Sequence, residues 1–450
     1  MDNYNNIRIG MVSLGCSKNQ VDAEHMLWLL RDAGFELCPD AGLCDAVIIN
    51  TCGFIESAKQ ESIDNIMEFV TLKQEGRIKV LCVTGCLAER YREEVRREIP
   101  ELDVILGIGS NAYIVQAIAD ALESGVETTG FGEKENLALD TGGQRIISNL
   151  PFYAYLKIAD GCDNKCSYCA IPMIRGRFRS REMESVIAEA EHLAEHGVTE
   201  LCLIAQDTTR YGDDLYGEYR LPELLQRLCR IEKLRWIRVL YCYPERVTDE
   251  LLDVMAREDK IVKYMDLPIQ HVHERILRAM NRRGNAQALR SLIEKIRVKI
   301  PGITLRTTLI TGFPGESDAE FEELCDFVRE VRFERLGCFA FSREEDTPAY
   351  AMPMQIDPDT ASRRAEIIME IQMEISAQHN AAMIGKAITV VCEGFDRYAE
   401  SWFGRSVMDA PDIDGKVFFT AKDKIQIGDY VDVRITESMD YDLIGKLVTQ

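Results

Sequence analysis

Between residues 152 and 342, six short apolar runs recur with helical patterns between them: FYAYLKIA, ELCLIAQ, WIRVLYC, VKYMDLP, ITLRTTLI and LGCFAFS. Segments such as 182–196 and 317–331 space their apolar residues three and four apart, the period of a helix. Runs this short and this apolar are expected to be buried on both faces, as strands of a parallel sheet under helices are. Six strand–helix units fall short of the eight that close a full barrel. The expected core, over residues 148–378, is therefore a partial (β/α)6 barrel with its functional residues at the C-terminal strand ends. A longer helical pattern at 359–383 closes it.

Two other textures flank this core. Residues 7–123 alternate RIGMVSLG, DAVIINT and KVLCVTG with helical patterns at 19–33 and 55–72, which predicts a small parallel α/β domain. Residues 124–147 are polar and rich in Gly and Thr, and read as a linker. Over 380–448, KAITVVCEGF, GKVFFTA, DYVDVRITES and LIGKLVT are split by Gly and Asp turns, the pattern of a small antiparallel β-barrel of OB-like type. The fold class is thus multidomain α/β.

The chain carries 75 acidic and 53 basic side chains, a formal charge of −22. Such a field repels nucleic-acid phosphates and favours a basic partner. Residues 380–450 alone hold twelve acidic against eight basic side chains, whereas a nucleic-acid-binding barrel should be basic. Acidity there suits a basic protein substrate, or nothing beyond solubility. No apolar run reaches 18 residues, and MDNYNNIRIG lacks the apolar segment of a signal peptide, so no membrane association and a cytoplasmic location are expected. Fifteen cysteines in that compartment should be thiols or metal ligands rather than disulfides.

Three of them, Cys162, Cys166 and Cys169, stand in GCDNKCSYCAI on the loop after the first barrel strand. Thiolates so spaced can take three corners of a 4Fe–4S cluster and leave one iron open. Zinc would want a fourth ligand nearby, and the next His or Cys is His192, inside a predicted helix. Cys16, Cys52 and Cys86 each follow a predicted strand of the N-terminal domain. Parallel strands end on one edge, so these three thiols could meet as well, although buried thiols are also common packing residues. The other nine cysteines fall mostly in apolar strand or helix contexts and are assigned to packing.

The Cys-x3-Cys-x-Tyr-Cys motif after the first strand of a partial barrel resembles the radical S-adenosylmethionine superfamily. The resemblance implies that this cluster gives one electron to bound S-adenosylmethionine, releasing methionine and a deoxyadenosyl radical that abstracts hydrogen from an unreactive carbon. TTLITGFPGE (307–316), with Gly312, Gly315 and Glu316, looks like the superfamily's adenine-side turn. Tyr168 in the cluster loop, Gln206 and Asp207 after the second strand, and Gln270 and His271 after the fourth are the further candidates for contact with the cofactor; ordinary loops are the alternative.

Taken with the upstream cysteines, the linker and the β-tail, the whole chain resembles the methylthiotransferase family. There Cys16, Cys52 and Cys86 would hold an auxiliary 4Fe–4S cluster that handles the inserted sulfur, and the tail would be a TRAM domain. The resemblance implies S-adenosylmethionine as both methyl donor and radical source, an external sulfur source, and a one-electron reductant such as flavodoxin or ferredoxin. One branch of the family modifies an isopentenylated adenosine of transfer RNA; the other modifies the β-carbon of an aspartate in small-subunit ribosomal protein S-twelve. IPMIRGRFRSRE, AQDTTRYGDDLYG, HVHERILRAMNRRG, FSREEDTPAY and DAPDIDG resemble the second. A non-catalytic two-cluster electron carrier is the alternative of another class, though such carriers normally use four cysteines per cluster.

Arg175, Arg177, Arg179 and Arg181 alternate along the loop after the cluster motif. One of them could hold the substrate carboxylate by bidentate pairing, or all four could serve salt bridges. Either way the chemistry demands that the two cysteine trios face each other, with the N-terminal domain packed over the barrel mouth.

Overall fold

A computed structural model describes residues 4, 6–125, 128–132, 144–421 and 424–448. The N-terminal domain is built on six parallel strands: β1 (Arg8–Ser13), β2 (Glu36–Leu37), β3 (Ala46–Thr51), β4 (Val80–Gly85), β5 (Val104–Leu106) and β6 (Thr128–Gly130). Their order is β2-β1-β3-β4-β5-β6. β3 and β4 are buried at every residue, which is why they read as unbroken apolar runs. β2, β5 and β6 are too short to carry a pattern. β6 falls in the stretch expected to be linker: its extended backbone pairs with β5 and continues the ladder. Residues 133–143 of that stretch lie outside the described residues.

The far end of the same stretch is tied down. Arg145 is buried, ion-pairs at 3.3 Å with both Glu24 and Glu189, and donates to the Tyr155 carbonyl. Glu24 belongs to the N-terminal domain and Glu189 to the core, so the strap joins them.

The core carries β7 (Tyr153–Lys157), β8 (Ala159–Asp160), β9 (Arg179–Ser180), β10 (Glu200–Ile204), β11 (Trp236–Val239), β12 (Ile261–Asp266), β13 (Thr304–Thr311) and β14 (Arg335–Ala340). Six of these form the open parallel sheet β14-β13-β12-β11-β10-β7, and β8 pairs antiparallel with β9. Side chains alternate with the period of a strand. Leu156, Leu203, Val239 and Met265 face the outer helices, whereas Tyr155, Cys202, Ile204 and Tyr264 face inward. That inner cluster includes Val21 from the N-terminal domain and Val391 and Ala410 from the tail, so all three domains meet inside the barrel.

The tail is a closed barrel in the order β15-β16-β17-β19-β18, from β15 (Ala387–Asp396), β16 (Ser401–Ser406), β17 (Val417–Thr420), β18 (Tyr430–Ser438) and β19 (Leu443–Leu447). β16 was not among the expected strands, and closure needs it. The β17–β19 pairing is parallel, a departure from the all-antiparallel expectation.

The loop from β16 to β17 enters the core. Asp409 pairs with Arg335 at 2.6 Å, Asp414 accepts from the Tyr264 hydroxyl at 2.7 Å, and Val407 O accepts from Arg238 at 2.9 Å. Arg405 pairs with Glu200 at 2.9 Å and also with Glu393. Part of the tail's acidity is therefore spent on the chain's own cations and hydroxyls rather than displayed to a basic partner. Among the described residues no helix is long and apolar enough to cross a membrane.

Two outcomes follow. Glu200 is fully buried between Arg238 and Arg405. Glu200→Ala leaves Arg238 without its carboxylate and Arg405 with Glu393 alone, and should cost about 3–5 kcal/mol, measured by denaturant unfolding. His25 donates from Nδ1 to the Gln144 carbonyl at 3.3 Å, and burial lowers its pKa to about 4. The unfolded chain takes up that proton near 6.5, so the stability His25 confers is complete above about pH 6.5 and lost as pH falls through about 4. His25→Gln should flatten that part of the stability–pH curve.

Candidate active site at the barrel mouth

Cys16 follows β1 and caps the helix Ser17–Asp32, Cys52 follows β3, and Cys86 opens the short helix Cys86–Arg90 after β4. β1, β3 and β4 are neighbours, so the three thiols sit at adjacent C-terminal strand ends, where the strand order reverses. The approach is close enough to require glycine at residue 15: with φ of 89°, a Cβ there would lie 3.0 Å from Cys52 Sγ. Ser62 fixes the Cys52 backbone, its hydroxyl accepting from the amide at 3.0 Å and donating to the carbonyl at 2.9 Å.

The second trio lies on the loop after β8. Gly161 has φ of 75°, and a Cβ there would come 2.0 Å from the Arg177 carbonyl oxygen. Cys162 N donates to Gly176 O, and Cys169 N to Cys166 O, both at 3.1 Å. Ser167 anchors the loop on Ala279 and Met280.

All six cysteines line one cavity of about 310 Å³. Tyr168, Gln206 and Gln270 line it too, as do Lys18, Phe54, Arg175, Tyr241, Tyr243 and Arg282. The N-terminal domain thus packs over the barrel mouth with the trios facing one chamber. Burial pushes the Cys86 thiol up to about 12, with Cys16 and Cys52 adding to the rise and Arg175 opposing it. Burial likewise pushes Cys162 up to about 11. Thiols crowded this way ionise favourably only when a cation binds them. Among the described residues no three Cys, His, Asp or Glu side chains converge on a single-ion site. The thiols ring a space, which fits iron–sulfur clusters with three protein ligands each better than zinc.

Arg175 holds the two domains in register. It is buried, its Nη1 lies 3.0 Å from Asp160, its Nη2 lies 3.0 Å from Asp22, and Cys86 Sγ is 3.9 Å away. Lys157 pairs with the same two carboxylates. Although burial raises the Asp160 pKa, Arg175 and Lys157 hold that carboxyl well below the usual range.

The other three arginines lie away from the cavity. Arg177 is exposed, Arg179 donates to the backbone carbonyls of Arg177 and Arg175, and Arg181 pairs with Glu189. The β8–β9 ladder folds this loop back on itself, so alternation in sequence does not give one functional face. Arg175 lines the cavity, but its charge is matched by Asp22 and Asp160.

The cofactor candidates divide as well. Gln270 adopts φ of 68°, rare for a residue other than glycine, held by Gln270 N to Thr308 O at 2.9 Å and Ile310 N to Gln270 O at 2.8 Å. Asp207 sits behind Gln206 and binds Arg246 at 2.6 Å and Asn164 at 3.0 Å. Gly312 turns toward Ala361 of the helix Pro358–Ala381, where a Cβ would meet another at 2.2 Å. Glu316 accepts from Gly312 N and pairs with Arg364 at 3.2 Å and buried His271 at 3.5 Å. Gly312, Glu316, Asp207 and His271 are not among the residues lining the six-cysteine cavity. Cys242, expected to be a packing residue, does line it.

Lys18 and Arg282 escaped sequence reasoning. Lys18 had one signal, its place two residues after Cys16; Arg282 lay within HVHERILRAMNRRG, but nothing local tied it to the cysteines far upstream.

Arg175→Ala should leave Asp22 and Asp160 sharing only Lys157, loosening the N-terminal domain from the barrel. Hydrogen exchange over residues 17–32 should rise by at least about tenfold, while exchange in the tail barrel stays unchanged.

Three family models match the chain: the radical SAM superfamily over 156–328, the uncharacterized protein family UPF0004 over 8–107, and the TRAM domain over 384–448. The chain is 52% identical to the ribosomal protein uS12 methylthiotransferase RimO of Desulforamulus reducens, over 98% of this chain and 99% of that protein. It is 48% identical to the protein of that name from Thermoanaerobacter sp., over 97% and 99%. It is 47% identical to that of Clostridioides difficile, over 98% and 99%. Among solved structures, the radical S-adenosylmethionine methyltransferase TsrM from Kitasatospora setae superposes with a TM-score of 0.59 at 15% identity, covering 76% of each chain. At that identity the likeness speaks for the fold alone.

Proposed function

The chain belongs to the ribosomal protein uS12 methylthiotransferase RimO family, and from that premise we propose that it adds a methylthio group to the β-carbon of an aspartate in ribosomal protein uS12. The observation that carries this is the single chamber onto which both cysteine trios open. In this reading Cys162, Cys166 and Cys169 hold the cluster that works on S-adenosylmethionine, and Cys16, Cys52 and Cys86 hold the auxiliary one. When bound, the clusters and S-adenosylmethionine supply the radical that takes the β hydrogen and the methylated sulfur that replaces it. The sulfur comes from an external source and the electron from a reductant such as flavodoxin or ferredoxin, in the cytoplasm where the ribosomal protein is made.

An aspartate β C–H has no acidity useful at neutral pH, so the chain is not required to supply a strong base. Its own residues bind, orient and exclude water. In this reading Tyr168, Gln206 and Gln270, which line the cavity, would contact S-adenosylmethionine, and Phe54 and Pro268 would give the reacting centre an apolar wall. The Arg175–Asp22–Asp160 pairs hold the two trios in register.

Anaerobic turnover with a uS12 peptide tests the proposal. Wild-type protein should carry about eight irons and give methylthiolated peptide by mass spectrometry. A Cys52→Ser, Cys86→Ser double variant should retain about four irons, still cleave S-adenosylmethionine to deoxyadenosine, and make no methylthio product. Cys169→Ser should abolish the cleavage. Methylthiolation of transfer-RNA adenosine with none on the peptide, or a full iron complement in the double variant, would overturn it.

A further inference from the structure

We propose that Lys18 receives the substrate aspartate's carboxylate and so sets the preference for aspartate over neutral side chains; this rests on the function proposed above. The carboxylate is one bond from the carbon that reacts, so it enters the six-cysteine cavity with it. A carboxylate moved out of water into such a site needs a buried cation.

Three cations line the cavity: Lys18, Arg175 and Arg282. Arg175 already has Asp22 and Asp160. Arg282 donates to the Pro268 carbonyl at 2.7 Å, stacks over Tyr243 at 4.2 Å, and faces Tyr168 and Cys166 on the side of the second trio. Lys18 is different. It is 6% exposed, and among the described residues its ammonium makes no hydrogen bond or ion pair to a protein group. Its one close partner is the face of Tyr241, with Nζ 3.0 Å from the ring centroid.

That platform is held in advance. Tyr241 adopts φ of 61°, its amide donates to Asp266 at 3.1 Å, and its carbonyl accepts from Thr208 N at 3.1 Å. An aromatic face attracts the ammonium without accepting its N–H groups, so those donors stay available to an anion. Leaving an ammonium buried with no anion is costly, a cost that an arriving carboxylate removes. Lys18 also sits in the first turn of the helix Ser17–Asp32, whose positive end faces the same cavity. Being two residues from Cys16, it stands on the auxiliary side of the chamber, where the new carbon–sulfur bond forms in the proposed reaction.

The test is binding, without turnover. Anaerobic holoenzyme with S-adenosylhomocysteine is titrated with a fluorescent uS12 peptide carrying the target aspartate, and with its asparagine twin. Wild-type protein should favour the aspartate peptide by at least about tenfold. Lys18→Met should bring the two within about twofold, with iron content and asparagine-peptide affinity unchanged, and Lys18→Arg should restore most of the preference. If Lys18→Met keeps the wild-type preference, or only weakens S-adenosylhomocysteine, the inference is wrong while the function stands. If wild-type protein binds both peptides equally, the inference alone is wrong; if it binds neither, the inference and the proposed function fall together.

Discussion

The buried quartet of Asp22, Lys157, Asp160 and Arg175 is the constraint on which the site depends. Such clusters add little net stability, because desolvation offsets most of the attraction. They are strict about register, since a displaced partner leaves a charge uncompensated. Here the members are well placed to enforce one. Asp22 lies on the helix that begins beside Cys16 and carries Lys18, Lys157 and Asp160 lead directly into the loop of Cys162, Cys166 and Cys169, and Arg175 follows that loop. One cluster of four charges therefore locates both trios relative to each other. The Arg145 strap, pairing Glu24 with Glu189, holds the same two domains at a second point.

The opposite end of the barrel poses a related problem. A six-stranded open barrel does not fill its own interior as a closed eight-stranded one does. Its inward side chains include Arg238, Tyr264 and Arg306, which need partners. The β16–β17 loop provides them: the Val407 carbonyl accepts from Arg238, Asp414 accepts from Tyr264 and lies 3.7 Å from Arg306, and Asp409 pairs with neighbouring Arg335. The tail is thus part of the core's own packing. Any role it has in grasping a substrate must use the surface left over, such as the exposed Phe395 and Tyr398 at the β15–β16 turn.

What was legible in the sequence follows from burial and local geometry. β3, β4, β10 and β11 announced themselves because they are buried at every residue, while β7, β12, β13 and β14 showed as apolar runs although some of their residues are only partly covered. That all six cysteines line one cavity was legible from two signals: Cys162, Cys166 and Cys169 share one tight loop, and parallel strands deliver Cys16, Cys52 and Cys86 to one edge. β2 and β6 were not, having two and three residues, and β16 was hidden by its central Gly404. The alternating arginines do not share one face, because alternation means that only on a strand and theirs is a folded loop in which Arg175 alone of the four lines the cavity. Arg175 finds Asp22 153 residues away, a pairing no local pattern reveals. Gly312 was marked as a place of close approach, and Ala361 of the closing helix approaches it.

The distribution of charge joins these points. The chain as a whole is strongly acidic, at −22, yet among the described residues its six-cysteine cavity is lined by three cations and by no carboxylate. The two signs suit two tasks on different length scales. An acidic exterior draws a basic protein from a distance, in a way salt can screen. The interior must then accept one acidic side chain from that basic protein, beside thiolates that are negative themselves. Only cations held inside the cavity can make that entry favourable, and they must be shielded from the chain's own 75 acids. Arg175 shows what happens without shielding, since two carboxylates have claimed it. Lys18, backed by the Tyr241 ring where a carboxylate would have neutralised it, keeps its charge for what enters.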